Sequence, residues 1–95
     1  MIIKKGAPFF YNFNMKAPDG RIMNLSRANV KFVVEGGLFA REYTVGNGLR
    51  VTITTGAVDV MLSPQQTDEF SVDKLLYALI INGVKVSSGI LEVEV

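Results

Sequence analysis

Nucleophilic and acid–base chemistry in this chain falls to hydroxyls, lysines and carboxylates, because the sequence contains no cysteine, histidine or tryptophan. A serine nucleophile needs a base within hydrogen-bond reach. Without imidazole, Ser26, Ser63, Ser71, Ser87 and Ser88 would depend on a lysine or a carboxylate. A lysine becomes a base when apolar surroundings depress its pKa, and only Lys31 and Lys74, at strand edges, approach such a setting. The acids Asp68, Glu69 and Asp73 could in principle hold a divalent cation or divide acid and base roles at a glycosidic bond. Their spacing is not that of a D-x-[DN]-x-[DN]-G loop, and two of them fall in or beside a short helical turn, where solvated acids are ordinary. The glycines Gly36-Gly37 and Gly46 with Gly48 match no phosphate loop and read as turn residues. The chain is therefore expected to be non-enzymatic, with no catalytic residue, no metal ligand and no cofactor.

Contact chemistry is better represented. Phe9, Phe10, Tyr11 and Phe13 would suit a stacking platform for bases or sugars, but alternation leaves only Phe10 off the core face. A small carbohydrate- or ligand-binding module built from Phe10, Tyr43 and the 46–48 loop is the alternative function. Phe39, Arg41 and Tyr43 share one face of a strand and form a candidate interface, since aromatic residues and arginine are enriched where proteins bind one another. Leu91, Val93 and Val95 complete that candidate surface. They lie on a terminal strand, Ile90 to Val95, with no proline or lysine to blunt it as an edge, so self-association is expected there.

The elements that position these residues are strands. Phe9 to Met15 alternates in polarity, as do Asn29 to Glu35, Leu38 to Val45, Leu49 to Thr54 and Ala57 to Leu62. Leu75 to Ile81 is the most apolar run and predicts a central strand. Turn chemistry separates them: Pro18-Asp19-Gly20, Gly46-Asn47-Gly48 as a hairpin, and Asn82-Gly83, both of whose residues accept the positive φ of a type I′ turn. Gly89 inside the last strand predicts a bulge. Ser63-Pro64-Gln65-Gln66 carries an N-cap, a first-turn proline and a capping box, so one short helical turn is expected. Seven to eight short strands with this spacing predict an all-β antiparallel sandwich with Phe32, Ile53, Val60, Leu79 and Leu91 in its core.

The 95 residues suffice for one domain with a single core. Ten basic residues against nine acidic ones, scattered rather than clustered, do not indicate a nucleic-acid partner. The N-terminus lacks the apolar stretch of about 7–15 residues that a cleaved signal needs, and no run approaches the roughly 18 required to span a bilayer. A soluble protein with no membrane partner is expected. At 48% apolar residues, some of that surface is expected to face a protein partner.

In order along the chain come an aromatic first strand, Asp19-Gly20, Asn24-Leu25-Ser26, the strand Val30 to Val34, and Gly56-Ala57-Val58-Asp59-Val60-Met61-Leu62-Ser63. Gln66-Thr67, Tyr77 to Gly83 and Ser88-Gly89-Ile90-Leu91-Glu92-Val93 follow. This series, from about Phe9 to Val95, resembles the small immunoglobulin-like domains of tailed-phage and prophage tail or baseplate structural proteins. Val72-Asp73-Lys74-Leu75 departs from that pattern, which usually places a glycine before the tyrosine strand. The resemblance implies a virion structural protein, made in the bacterial cytoplasm and then carried in the particle, that acts through protein–protein contacts.

Overall fold

The computed structural model describes residues 1–95. Eight strands and one helical turn follow one another as β1 (Ile2–Lys4), β2 (Phe9–Asn14), β3 (Val30–Gly36), β4 (Phe39–Val45), β5 (Gly48–Thr52), β6 (Ala57–Leu62), α1 (Pro64–Asp68), β7 (Lys74–Ile81) and β8 (Val84–Glu94). The protein is all-β. Alternation sets most of it: in β3, Val30, Phe32 and Val34 are buried while Lys31, Val33 and Glu35 form the other face. The helical turn forms where its cap was expected, with Ser63 Oγ accepting from the Gln66 amide at 3.2 Å and Gln66 Oε1 accepting from the Ser63 amide at 2.8 Å. Asn82 and Gly83 adopt φ of 51° and 80°, and join β7 to β8 as a tight hairpin.

All eight strands belong to one hydrogen-bonded sheet in the order β1-β8-β7-β3-β4-β5-β6-β2. The sheet rolls around a single core in a barrel-like form, which corrects the expectation of a plain two-sheet antiparallel sandwich. The cause lies at β4 and β5. Gly46-Asn47-Gly48 does not make a hairpin; it steps the chain sideways so that β4 and β5 run parallel through only two pairs, Thr44 with Gly48 and Val45 with Leu49. Gly46 and Gly48 take φ of 87° and 96° there. A Cβ on Gly48 would stand 3.0 Å from the Tyr43 ring and 3.1 Å from Leu62, so glycine is needed for both backbone angle and space. The step keeps the hydrogen-bond ladder continuous from one half of the barrel to the other.

Three further expectations are corrected. Ile53 is half exposed because β5 stops at Thr52 and the chain turns there; it is no core residue. Gly89 is not the bulge. The register shift lies between Leu79 and Ile80, whose partners are Ser87 and Lys85, so Val86 is the unpaired residue. Gly89 sits opposite Tyr77, and a Cβ would meet that ring at 2.9 Å. Finally, β8 is not an open edge at its end. The three-residue β1, too short to announce itself by alternation, pairs parallel with it: Ile2 with Glu92, Ile3 with Val93, Lys4 with Glu94.

Phe32, Leu79, Val60 and Leu91 are all fully buried, as expected. The Phe32 ring lies 6.2 Å from Phe13 of β2, 6.4 Å from Tyr43 of β4 and 5.8 Å from Tyr77 of β7, in tilted geometry that aromatic pairs favour. Phe70, just after α1, packs 5.2 Å from Phe39 and closes one end of the core. Leu79→Ala should cost roughly 2–5 kcal/mol in urea melts through lost transfer energy and an unfilled cavity. Ile53→Ala should change stability by about 0.5 kcal/mol or less; equal losses at the two sites would contradict this core.

Candidate interaction surface

The sequence-predicted stripe on β4 does not present itself to a partner. Phe39 and Tyr43 are buried, as is Leu91 on β8, so three of the six candidate interface residues belong to the core. Their backbone positions explain it. Phe39 pairs with Gly36 and Tyr43 with Phe32, on the row of β4 that faces inward. Arg41 lies on that same row, opposite Val34, but at the open margin of the sheet its chain lies along the aromatic edge and leaves the core. Its guanidinium carbon stands 4.7 Å from the centre of the Phe39 ring. Nε donates to Glu69 at 3.1 Å and Nη1 to the Ala40 carbonyl at 2.9 Å. Arg41 thus ties β4 to the residue that ends α1, an intramolecular role. Of the terminal residues, Val93 is partly buried against the core and Val95 is exposed.

Tyr43, the other ring of the expected sugar platform, is likewise withdrawn. It lies under Gly48, and burial, helped by the charge of Glu69 and opposed by Arg41, pushes its hydroxyl up to about 12. Phe10 does face outward on β2, and Tyr11, which alternation assigns to the core, is exposed as well, but Tyr43 does not join them in a platform beside the 46–48 loop.

A polar row that alternation alone conceals crosses the outer face of β2, β6 and β5. Asn12 pairs with Asp59 and Asp59 with Arg50, so the three stand side by side across three strands. Asn12 Nδ2 donates to Asp59 Oδ1 at 2.6 Å, and Arg50 Nη2 donates to Oδ2 at 3.1 Å. Only 5% of Asp59 remains exposed beneath these two side chains. The Asn12 hydrogen bond, with help from Arg50 and against the cost of burial, holds the carboxyl below its ordinary value. The signal in the sequence was an Asp between two valines of the most buried strand, legible only once the partners across it are known.

The surface with most to offer a partner is the outer face of β8, β7 and β3. Its cross-strand rows are Ile90–Leu76–Glu35, Ser88–Ala78–Val33 and Lys85–Ile80–Lys31. Leu76 and Ile90 are 60% and 59% exposed and lie next to each other. Around them the surface dips into a shallow depression of about 430 Å³, floored by Gly36 and Leu75 and flanked by Glu35 and Lys74. A second depression of about 240 Å³ continues it over Val33, Ala78 and Gly89. No helix is long and apolar enough to cross a membrane. No family model and no curated protein matches the chain. The face is an apolar stripe with two shallow depressions, bordered by charges of both signs. That composition suits a protein contact.

Two titrations check the polar clusters. The unfolded chain takes up the Asp59 proton first as pH falls, so stability should decline on acidification below about pH 4, and Asp59→Asn should remove part of that slope. At the alkaline end the unfolded tyrosine ionises first, so stability should be lost as pH rises from 10.0 toward about 12, and Tyr43→Phe should lessen the loss. Variants with the parent's slopes would remove Asp59 and Tyr43 as the cause.

Proposed function

We propose that this chain is a non-enzymatic structural component of a phage or prophage particle, belonging to the tail or baseplate and acting through protein–protein contacts. The observation that carries the proposal is the exposed apolar stripe of Leu76 and Ile90, set between charges on the outer face of the β8–β7–β3 strands. The strand order supports the immunoglobulin-like part of the resemblance. Lettered in chain order, β2, β6 and β5 stand as B-E-D, and β8, β7, β3 and β4 as G-F-C-C′, which are the two halves of an immunoglobulin-type sandwich. In this reading β1 adds to the G strand, α1 lies in the connection between E and F, and the β4–β5 step joins the halves. A small domain whose backbone is tied up in one continuous ladder is a rigid spacer, and its outer face is free to pack against a neighbour.

The proposal is tested on particles from an induced strain that carries the gene. After density-gradient purification and a high-salt wash, peptides of this chain should remain with the tail fraction in constant ratio to the major tail protein. Recovery of the chain in the soluble fraction alone, with clean particles, would refute it. A glycan screen gives the alternative its chance: saturable sugar binding abolished by Phe10→Ala would replace a structural role with a binding one.

A further inference from the structure

The rolled sheet is left open at β2. That strand stands last in the order and is bonded to β6 alone. Met15 donates its amide to the Gly56 carbonyl at 2.8 Å, and in an antiparallel register that parity turns the amides and carbonyls of Phe9, Tyr11 and Phe13 toward β6. Those of Phe10, Asn12 and Asn14 therefore point away from the sheet, and no other bond of the chain takes them up. The core wall is unfinished at the same place: Tyr11 lies opposite the buried Val60, on the side that faces the core, yet 40% of it is exposed. None of the usual edge defences is present. Phe9–Asn14 reads Phe-Phe-Tyr-Asn-Phe-Asn, without charge, proline or glycine, which is the composition of a segment that pairs with copies of itself.

We infer that this edge is a site of strand addition and that its occupant is β2 of a second copy, run antiparallel about Asn12. Pro8, which carries no amide, precedes the free window and the strand ends at Asn14, so the window is three residues centred on Asn12. A two-fold axis through Asn12 pairs Phe10 with Asn14 of the second copy, Asn12 with its counterpart, and Asn14 with Phe10 of the second copy. Three amides and three carbonyls from each copy then make six main-chain hydrogen bonds and saturate the window. Centring the pair on Tyr11 instead would set Asn14 against Pro8 and lose a donor. On the core side Tyr11 comes opposite Phe13 of the second copy, beside the Tyr11–Phe13 ring pair already 4.8 Å apart, so the exposed ring gains aromatic cover. On the outer side the two Asn12 amides meet. Each donates one N–H to its own Asp59 and keeps a second N–H and its Oδ1 for the other. No like charges are brought into contact: along that row the nearest are the two Asp59 carboxylates, three strand spacings or about 14 Å apart, each held by its own Arg50. An edge pair this short covers less than the roughly 800 Å² per partner of a standard interface. The dimer is accordingly weak, with its register set by main-chain bonds and not by area. It leaves the outer face of β8, β7 and β3 uncovered and is independent of the building-block proposal.

Sedimentation velocity and cross-linking test it together, with the folding of each variant checked by circular dichroism. Between about 10 micromolar and about 1 millimolar the parent should move from a 10.4 kDa species toward twice that mass. Asn14→Pro and Phe10→Pro each remove an outward amide without touching the bonds to β6, and the two-fold applies each loss twice, so each should weaken the dimer about tenfold or more. Register is read by disulfides, because the chain has no cysteine of its own. Phe10→Cys and Asn14→Cys, both at exposed positions, are mixed and oxidised; mass spectrometry should find the mixed dimer in about fivefold excess or more over either homodimer, since only residues 10 and 14 approach to about 5.5 Å between Cα atoms. A parent that stays monomeric at about 1 millimolar overturns a second copy as the occupant and leaves the edge to a foreign strand. An oligomer indifferent to both prolines, or homodimers cross-linked as readily as the mixed pair, overturns the inference as well.

Discussion

The ring of Phe32 is the contact on which the remainder of the molecule depends. It is fully buried and meets aromatic rings from β2, β4 and β7, strands from both halves of the rolled sheet. A barrel-like sheet this small has one interior layer, so a single large side chain can touch most of its walls. Tyr43 is drawn inward as part of that contact, Gly48 must be bare to pass over Tyr43, and the sideways step from β4 to β5 follows. The fold is therefore not a set of independent hairpins; its crossover exists because an aromatic centre has to be covered from the far side.

The same dependence explains what could be read from the sequence. Period-two alternation locates β3 and β6, and the apolar run from Leu75 to Ile81 locates β7, because those strands have a neighbour on each side and one face on the core. Asn82-Gly83 and Ser63 with Gln66 are local chemistry and are legible for that reason. Partnership is not local. Nothing within Ile2–Lys4 announces that it pairs parallel with residues some ninety positions later, and nothing within Gly46-Asn47-Gly48 tells a hairpin from a step between sheet halves. Arg41 shows the limit most clearly. Alternation places it correctly with Phe39 and Tyr43 on one side of β4, but which side is inside depends on β3 and Phe32, so a stripe that looked like an interface is the lining of the core.

The two outer faces of the roll differ in what they do with polarity. Over β2, β6 and β5 an acid is enclosed by its own neighbours, Asn12 and Arg50, so the face meets much of its electrostatic demand internally. Over β8, β7 and β3 an apolar stripe is bordered by Glu35 toward one end and by Lys31 and Lys85 toward the other, with Glu42 of β4 beside its middle. Exposed ion pairs there, such as Lys31 with Glu42, contribute little to the stability of the chain itself. Their arrangement matters to whatever lies against the face, since steering and register depend on where charges stand more than on how strongly they pair within one molecule.

The parallel contact between β1 and β8 also decides how the molecule answers tension. Because the two strands run in the same direction, a pull on the chain before Ile2 and an opposite pull after Glu94 would slide them lengthwise past one another. The bonds from Glu92 to Met1 and from Lys5 to Glu94, at 2.9 and 2.7 Å, mark the two ends of that seam. They would be loaded together in shear, whereas an antiparallel hairpin pulled from its open end unzips one rung at a time. Resistance to force is a matter of the unfolding rate and not of equilibrium stability. A three-residue strand, anchored in the core by the buried Ile3, thus bears on the mechanical strength of the whole domain.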